Sequence, residues 1–276
     1  MPLSISCYVP FFNNRNTILA ALQSLADQNL EVTECFALDD GSTDGGGELL
    51  ESSGFRCLRQ PTNQGRGAAR HRAMLEADGD IVVCCDATNI LPPDFVSQLL
   101  PWFDDPRVAA VYGWIQDPLP RGAVSRWRAR HLFKAHHCMT VLHKASLITY
   151  VVLLRKSAVL AVGNFNPEMR HTEDADLGER LIAGGFDVVF DPSASVLCNV
   201  QNTLGQVLER YWRWNAGANE DVSWRVYFKN IAFSIKCMAW VDLSLRDPAA
   251  SLISLICPHY QHWRSCLRRS SKLSLK

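Results

Sequence analysis

Short apolar runs alternating with helix-patterned segments over residues 5–85 constrain the fold more than any other feature of this chain. Residues 5–9 read as a first strand, ended by Pro10. Residues 32–38 read as a second, 56–59 as a short third and 81–85 as a fourth. Between them the period changes to that of helices. Ile18, Leu22 and Leu25 fall on one face of a helix over 17–28 that Asn16 can cap, Leu49 and Leu50 belong to a second, and Gly65-Arg66-Gly67 opens a third over 68–77. Strands alternating with helices imply parallel βαβ units in a doubly wound sheet. Ligands of such sheets bind beyond the strand C-termini. Pro10, Asp39-Asp40 and Asp86 all follow strands, so they are expected to gather along one edge.

Further along, the pattern predicts a helix over 93–102, a strand over 108–114, a basic stretch rich in His and Trp over 121–143 and a strand over 148–154. A helix over 173–183 and a last strand over 187–190, stopped by Asp191-Pro192, follow. From Thr203 the pattern is helical and amphipathic. The expected division is one α/β domain over 1–200 and a helical C-terminal region over 201–276.

Composition narrows the classes of function. A hydrophobic content of 47% with 20% charged residues belongs to a folded globular protein. Lys plus Arg and Asp plus Glu both total 28, so no net field favours nucleic acid. Ten cysteines lack any Cys-x-x-Cys pair, and Cys7, Cys84 and Cys85 lie in apolar runs, so they read as buried reduced thiols. The N-terminus lacks a charged n-region and a long h-region, and no run reaches the ~18 apolar residues of a spanning helix. A cytoplasmic location is therefore expected. Residues 227–263 are rich in apolar side chains and precede a basic tail. This segment can lie peripherally on the inner face of a membrane, or form helices that pack on the first domain or on a second subunit.

Four stretches carry chemistry. Asp39 and Asp40 sit in a tight turn where Gly41 gives the backbone freedom and Ser42 and Asp44 can cap the next helix. A carboxylate there can accept the N3–H of a uracil-type base, or the turn can be an ordinary capped one. Asn63, Gly65 and Gly67 lie at a helix start whose free N–H groups favour a diphosphate, with Arg70 on its first turn able to add a bidentate contact. Asp86, delivered by a buried strand, is placed to face a metal or nucleotide. In His171-Thr172-Glu173-Asp174-Ala175-Asp176, the acids can serve either as a catalytic base or as a first helical turn stabilised by the dipole.

Together these blocks resemble family 2 glycosyltransferases of the GT-A fold. The matching residues are Val9-Pro10-Phe11-Phe12-Asn13, Asp39-Asp40-Gly41-Ser42-Thr43-Asp44, Asn63 to Arg70, Asp86 and Glu173-Asp174, in that order. The resemblance covers about residues 3–215. It implies a mixed, mostly parallel sheet flanked by helices, with a nucleotide-binding part over about 1–115 and an acceptor part over about 116–200. It further implies a nucleotide-sugar donor, UDP-linked, and a hydroxyl acceptor, lipid-linked or in cell-envelope polysaccharide synthesis. Donor-binding roles fall to Pro10, Phe12, Asn13, Asp39, Asp40, Asn63, Gly67, Arg70, Asp86 and Thr88, with Asp40 the first choice for reading the base. Asp174 takes the role of base in an inverting single displacement, with Glu173 or Asp176 orienting the acceptor or a helix terminus.

The sequence departs from the family pattern at one place. The family's Asp-x-Asp metal motif reads Asp86-Ala87-Thr88, so Thr88 stands where a second carboxylate would help hold Mn²⁺ or Mg²⁺. Three readings stay open: a metal held through Asp86 alone, little metal dependence, or a degenerate nucleotide-sugar-binding scaffold without activity. A nucleotidyltransferase is disfavoured because no basic phosphate loop lies near the N-terminus. Arg210-Tyr211-Trp212-Arg213-Trp214 resembles the family's (Gln/Arg)-x-x-Arg-Trp block. Arg210, Arg213 and Trp214 are therefore candidates for phosphate or acceptor contact, against the alternative of a helix with an aromatic core stripe. Without spanning helices, one transfer per binding event is expected. The basic residues Arg121, Arg126, Arg128, Arg130 and Lys134 can neutralise a diphosphate or form a solvated face, and His131, His136, His137 and His143 show no metal-ligand context.

Overall fold

The computed structural model describes residues 3–117, 122–134, 140–215 and 223–273, excepting the side chains of 214, 215 and 268–273. The chain divides into two compact units. One comprises Met1–Gln116 with Cys138–Val200, the other Asp117–His137 with Gln201–Lys276. Residues 117–137, expected in the acceptor part of the first domain, instead belong with the C-terminal helices.

The first unit carries β1 (Ile5–Phe11), α1 (Arg15–Ala26), β2 (Glu34–Asp39), α2 (Gly46–Ser52), β3 (Arg56–Arg59), α3 (Arg66–Glu76), β4 (Ile81–Cys85), β5 (Asn89–Ile90), α4 (Phe95–Leu99) and β6 (Val108–Gln116). After α5 (Gly122–His131), which belongs to the second unit, come β7 (Val151–Arg155), α6 (Lys156–Ala161), α7 (Glu173–Ala183) and β8 (Asp187–Cys198). The sheet order is β3-β2-β1-β4-β7-β6-β8-β5. Strands β3, β2, β1 and β4 run parallel, β7 is antiparallel to both of its neighbours, and β6 and β8 are again parallel. The order reverses at β1, which lies between β2 and β4, so the C-terminal ends of β1 and β4 mark the ligand crevice. Because β7 opposes β4, with Cys85 paired to Val151, the residues just before β7 are brought to the end of β4 beside Asp86.

At three boundaries the departure from the sequence reading has a tertiary reason. Strand β1 continues through Pro10 to Phe11. Its pairing with β4 stops at Tyr8, so the missing N–H of Pro10 lies where only β2 continues alongside. Helix α1 starts at Arg15 because Asp44, from the loop after β2, accepts the Arg15 N–H at 2.8 Å and the Gly46 N–H at 3.0 Å. One carboxylate thus serves the starts of both α1 and α2. Strand β8 does not stop at Asp191-Pro192. The register against β6 jumps from Tyr112↔Phe190 to Trp114↔Ser195, so the pair lies in a bulge and the strand resumes. The main core holds Tyr8, Phe36, Leu38, Val82, Val152 and Leu177, all fully buried.

In the second unit, α5 packs on α8 (Leu204–Asn215) and α11 (Pro248–Leu273), and α11 also packs on α9 (Trp224–Phe233) and α10 (Trp240–Ser244). A π-helical turn over Ser234–Ala239 joins α9 to α10. Trp127, Val207, Met238, Ile253 and Cys257 centre its core. Pro258 inside α11 has no N–H to give the Ser254 carbonyl, and the Ser234 hydroxyl, at the start of the π turn, donates to it instead.

Candidate active site

Strand β2 ends at Asp39, and both aspartates of the turn are buried, but their bonding differs sharply. Asp39 Oδ1 accepts the Ser42 N–H at 2.8 Å, and among the described residues no hydrogen bond reaches Oδ2. Asp40 accepts four: from Gln60 Nε2 (2.9 Å), Gln64 N (2.8 Å), Asn63 Nδ2 (2.9 Å) and Gly65 N (2.9 Å). A carboxylate offers about four acceptor sites, so Asp40 is fully engaged with the loop that enters α3. Burial holds its carboxyl above the ordinary aspartate range despite the Gln64 and Gly65 amides, which pull it down. Asn63 is tied on both sides, its Oδ1 accepting from Arg170.

Two amides at the start of α3 are already taken, against the diphosphate role expected for Gly67. Gly65 N is taken by Asp40, and Gly67 N donates to the Met169 carbonyl at 3.0 Å. A Cβ on Gly67 would stand 2.2 Å from the Asn166 carbonyl oxygen and 2.4 Å from that of Met169. This glycine therefore exists to let the chain over residues 166–169 lie against the helix.

Arg70 also differs from its expected role. Its side chain is 1% exposed and is spent inside the protein. Nε donates to Glu173 Oε1 at 3.1 Å, Nη2 to Asp86 Oδ1 at 3.0 Å, and Nη1 to Cys84 Sγ at 2.8 Å. A guanidinium so deeply buried, with two carboxylate partners, is out of reach of a diphosphate. What it does is tie the end of β4 to the first turn of α7. Glu173 is itself 2% exposed, and burial outweighs the pull of Arg70, holding its carboxyl above the usual glutamate range.

Asp174, next to Glu173, is half-buried. Its Oδ1 caps the Ala175 N–H at 2.9 Å and its Oδ2 is 3.4 Å from the Thr149 hydroxyl. Thr149 precedes β7, and its neighbour Tyr150 offers its carbonyl to the Asp86 N–H at 2.9 Å. Asp86 and Asp174 are thus held by the same few groups, Arg70 with Glu173 on one side and Thr149-Tyr150 on the other. Sequence reasoning missed Thr149. Its only signal was its place just before an antiparallel strand whose pairing the sequence does not state.

The β1–α1 loop is bound to the β2–α2 loop. Asn13, at φ 52°, donates its N–H to Ser42 Oγ and accepts the Thr43 N–H with its side chain, both at 2.9 Å, while Phe12 is exposed beside it. Pro10, Phe12 and Asn13 therefore share the strand-end edge with Asp39.

For a divalent ion the donor set is sparse. No group of three His, Cys, Asp or Glu able to hold one occurs among the described residues. Asp86 is 32% exposed, with Oδ1 on Arg70 and no hydrogen bond to Oδ2 among the described residues. Thr88 lends its carbonyl to Asn199, and the buried Asn89 donates to the Tyr150 carbonyl while its Oδ1 has no protein donor. These residues fit an ion held by one carboxylate oxygen, with donor phosphates and water completing the shell.

The remaining candidates lie in the second unit. Arg210 and Arg213 are half-buried on α8, and the Trp214 side chain lies outside the described residues. Tyr211 and Trp212, between them, are buried, Tyr211 in that unit's core. In the basic stretch Lys134 is exposed, while the described arginines are tied to acids rather than left as a free phosphate cradle. Arg126 makes a bidentate pair with Asp247 (2.7 and 2.9 Å), Arg128 pairs with Asp117, and Arg130 and His131 meet Asp242. Arg121, His136 and His137 lie outside the described residues. All nine described cysteines are free thiols.

Comparison with known proteins adds the family. Poly-beta-1,6-N-acetyl-D-glucosamine synthase of Staphylococcus aureus is 26% identical over 229 residues, 78% of this chain and 54% of that protein. That of Staphylococcus epidermidis is 22% identical. The chain thus spans about half the length of the curated relatives it matches. Among solved structures, a mannosyltransferase of Pyrobaculum calidifontis in complex with GDP-Man and Mn²⁺ aligns with a TM-score of 0.65 at 16% identity, over 95% of this chain and 85% of that one. S. aureus TarS 1-349 in complex with UDP aligns at 0.60 and 15% identity, over 97% and 92%. At such identities the likeness speaks for the fold, a GT-A-like mixed sheet with C-terminal helices. Residues 6–160, more than half of the sequence, match the model of the glycosyl transferase family 2, and the chain belongs to that family of glycosyltransferases.

Proposed function

We propose that this glycosyltransferase moves one sugar from a UDP-linked donor to a hydroxyl acceptor with inversion at the anomeric carbon, in the building of a cell-envelope glycan. The observation that carries the reading is the buried Arg70, which joins Asp86 at the end of β4 to Glu173 beside Asp174. A donor-side carboxylate and a candidate base are thereby fixed in one frame, as direct displacement requires. The nucleotide-sugar class is supported by the GDP-Man and UDP complexes of the structural neighbours, and the envelope setting by the staphylococcal relatives.

In this reading Asp39 accepts the N3–H of the base with its spare oxygen, and Asp40 shapes the loop beneath it. The preference of the sequence reading for Asp40 is thus reversed, because the chain's own donors fill that carboxylate. Asp86 faces the diphosphate. A divalent ion there, when bound, would be held through Asp86 and would neutralise the leaving diphosphate. Asp174 takes the acceptor proton as the hydroxyl oxygen bonds to the anomeric carbon. The bond from that carbon to the diphosphate oxygen breaks on the opposite side, its electron pair leaving with the diphosphate.

Calorimetry with UDP, paired with a transfer assay on Asp174→Asn, tests the proposal. UDP binding should persist in the variant while kcat falls by about 100-fold or more. Normal turnover in the variant removes Asp174 from the mechanism, and no UDP binding by the wild type removes the donor. Thr88, in place of a second metal-binding carboxylate, favours one other reading, a nucleotide-sugar-binding scaffold. UDP binding without hydrolysis or transfer in the wild type would establish that instead.

A further inference from the structure

The second unit shows an apolar surface where a soluble helix bundle is ordinarily polar. Helix α11 buries one face in that unit's core, yet Leu252, Ile256 and Trp263, spaced at i, i+4 and i+11, form an apolar row on its outward face. On the helix that runs from α9 into α10, Trp224, Phe228 and Trp240 point outward as well. Trp240 is 70% exposed, Trp224 63%, Phe228 62% and Trp263 53%. An apolar surface of this extent marks an interaction site rather than scatter.

Charge indicates what covers it. Between residues 223 and 273 the only acids are Asp242 and Asp247. Both are buried, bound to Arg130 and His131 or to Arg126 and Arg130. Arg225, Lys229, Lys236 and Arg246 are exposed among the aromatic side chains, and Arg268, Arg269 and Lys272 follow in the sequence. The outward face of these helices is therefore apolar and basic, without an exposed carboxylate. A second copy of the chain is a poor partner, since a two-fold interface would press basic residues on their own equivalents with no acid to pair them. An anionic lipid surface answers both halves. Tryptophan and leucine enter the headgroup boundary, and lysine and arginine meet the lipid phosphates. No helix among the described residues is long and apolar enough to cross a membrane, so the geometry is that of helices lying in the interface.

We propose that the outward face of α9, α10 and α11 docks on an anionic lipid membrane, holding the second unit at its surface. The proposal does not rest on the assignment of donor or catalytic residues. The test is flotation of the full chain with vesicles of phosphatidylcholine, alone or mixed with phosphatidylglycerol, at low and high salt. Calorimetric UDP binding and circular dichroism serve as controls that the variants are folded. The chain should float with the mixed vesicles at low salt and release in high salt. Trp240→Ser with Trp263→Ser should weaken partitioning by about tenfold or more, and Arg225→Glu with Lys229→Glu by roughly fivefold for each charge lost. No flotation, equal flotation with neutral vesicles, or retained binding by both variants overturns the proposal. So does a dimer in light scattering that the tryptophan variant dissociates.

Discussion

Arg70→Met isolates the contact on which the site depends. The substitution keeps much of the side chain's bulk and removes the charge that Glu173 faces at 3.1 Å. Both partners of that pair are nearly inaccessible, at 1% and 2% exposure, so the carboxylate left behind has no water to replace the guanidinium. Breaking a buried pair from one side costs about 3–5 kcal/mol. The Asp86 contact adds little to this, because that carboxylate is 32% exposed and solvent screens it. Against a typical total of about 5–15 kcal/mol, the variant should be folded but markedly weaker, with Tm lowered by roughly 6–20 °C.

The pH dependence gives a second, independent readout. Burial already raises the folded-state carboxyl of Glu173 above its unfolded value. Such a group favours the folded state at low pH and loses that contribution as pH rises through the folded value. Removing Arg70 raises the carboxyl further. The penalty of Arg70→Met should therefore shrink on acidification and grow towards neutral pH. The assay is urea unfolding across that range on the wild type, Arg70→Met, Glu173→Gln and the double variant. The double variant should recover much of the loss, because it no longer buries a lone charge. A loss below about 1 kcal/mol at neutral pH, or one that does not vary with pH, would refute the reasoning.

Asp39→Ala, which orphans one donor, should weaken UDP binding by roughly tenfold to a hundredfold in calorimetry and cost less stability than Asp40→Ala, which orphans four. Asp40→Ala should instead lower the urea midpoint sharply, since each orphaned donor costs about 1–3 kcal/mol; the opposite pattern would return the base-reading role to Asp40. Gly67→Ala drives a methyl group into the Asn166 and Met169 carbonyls, 2.2 and 2.4 Å away. It should destabilise by about 1–3 kcal/mol in the same urea assay, and an unchanged midpoint would show that the loop over 166–169 is free to move aside.

Much of the first unit was legible because its strands are short apolar runs closed by turn residues. The runs ending near Pro10, Asp39 and Asp86 became β1, β2 and β4, and alternation with helices gave their parallel pairing. What the sequence concealed depends on partners distant along the chain. Asn16 read as a cap, but the helix starts at Arg15 because Asp44 reaches it from another loop. Arg70 read as a phosphate ligand because nothing local announces that Glu173, 103 residues on, will bury it. Gly67 looked like part of a phosphate loop, whereas a carbonyl at residue 169 had already taken its amide. Residue type indicated which side chains could do chemistry. Whether each was spent on the protein itself could be read only once the chain had folded.

The ion pairs of the second unit also set an order of events during synthesis. Arg130 meets Asp242 across 112 residues, and Arg126 meets Asp247 across 121. At roughly 5–20 residues per second, the arginines of α5 leave the ribosome ~6–24 s before their carboxylates do. Throughout that interval Trp127, later among the most deeply buried side chains, has no Ser254 hydroxyl for its indole N–H. The intervening chain includes β7, α7 and β8, so a large share of the first unit can form while this segment waits, cationic and aromatic, for its own fold to arrive.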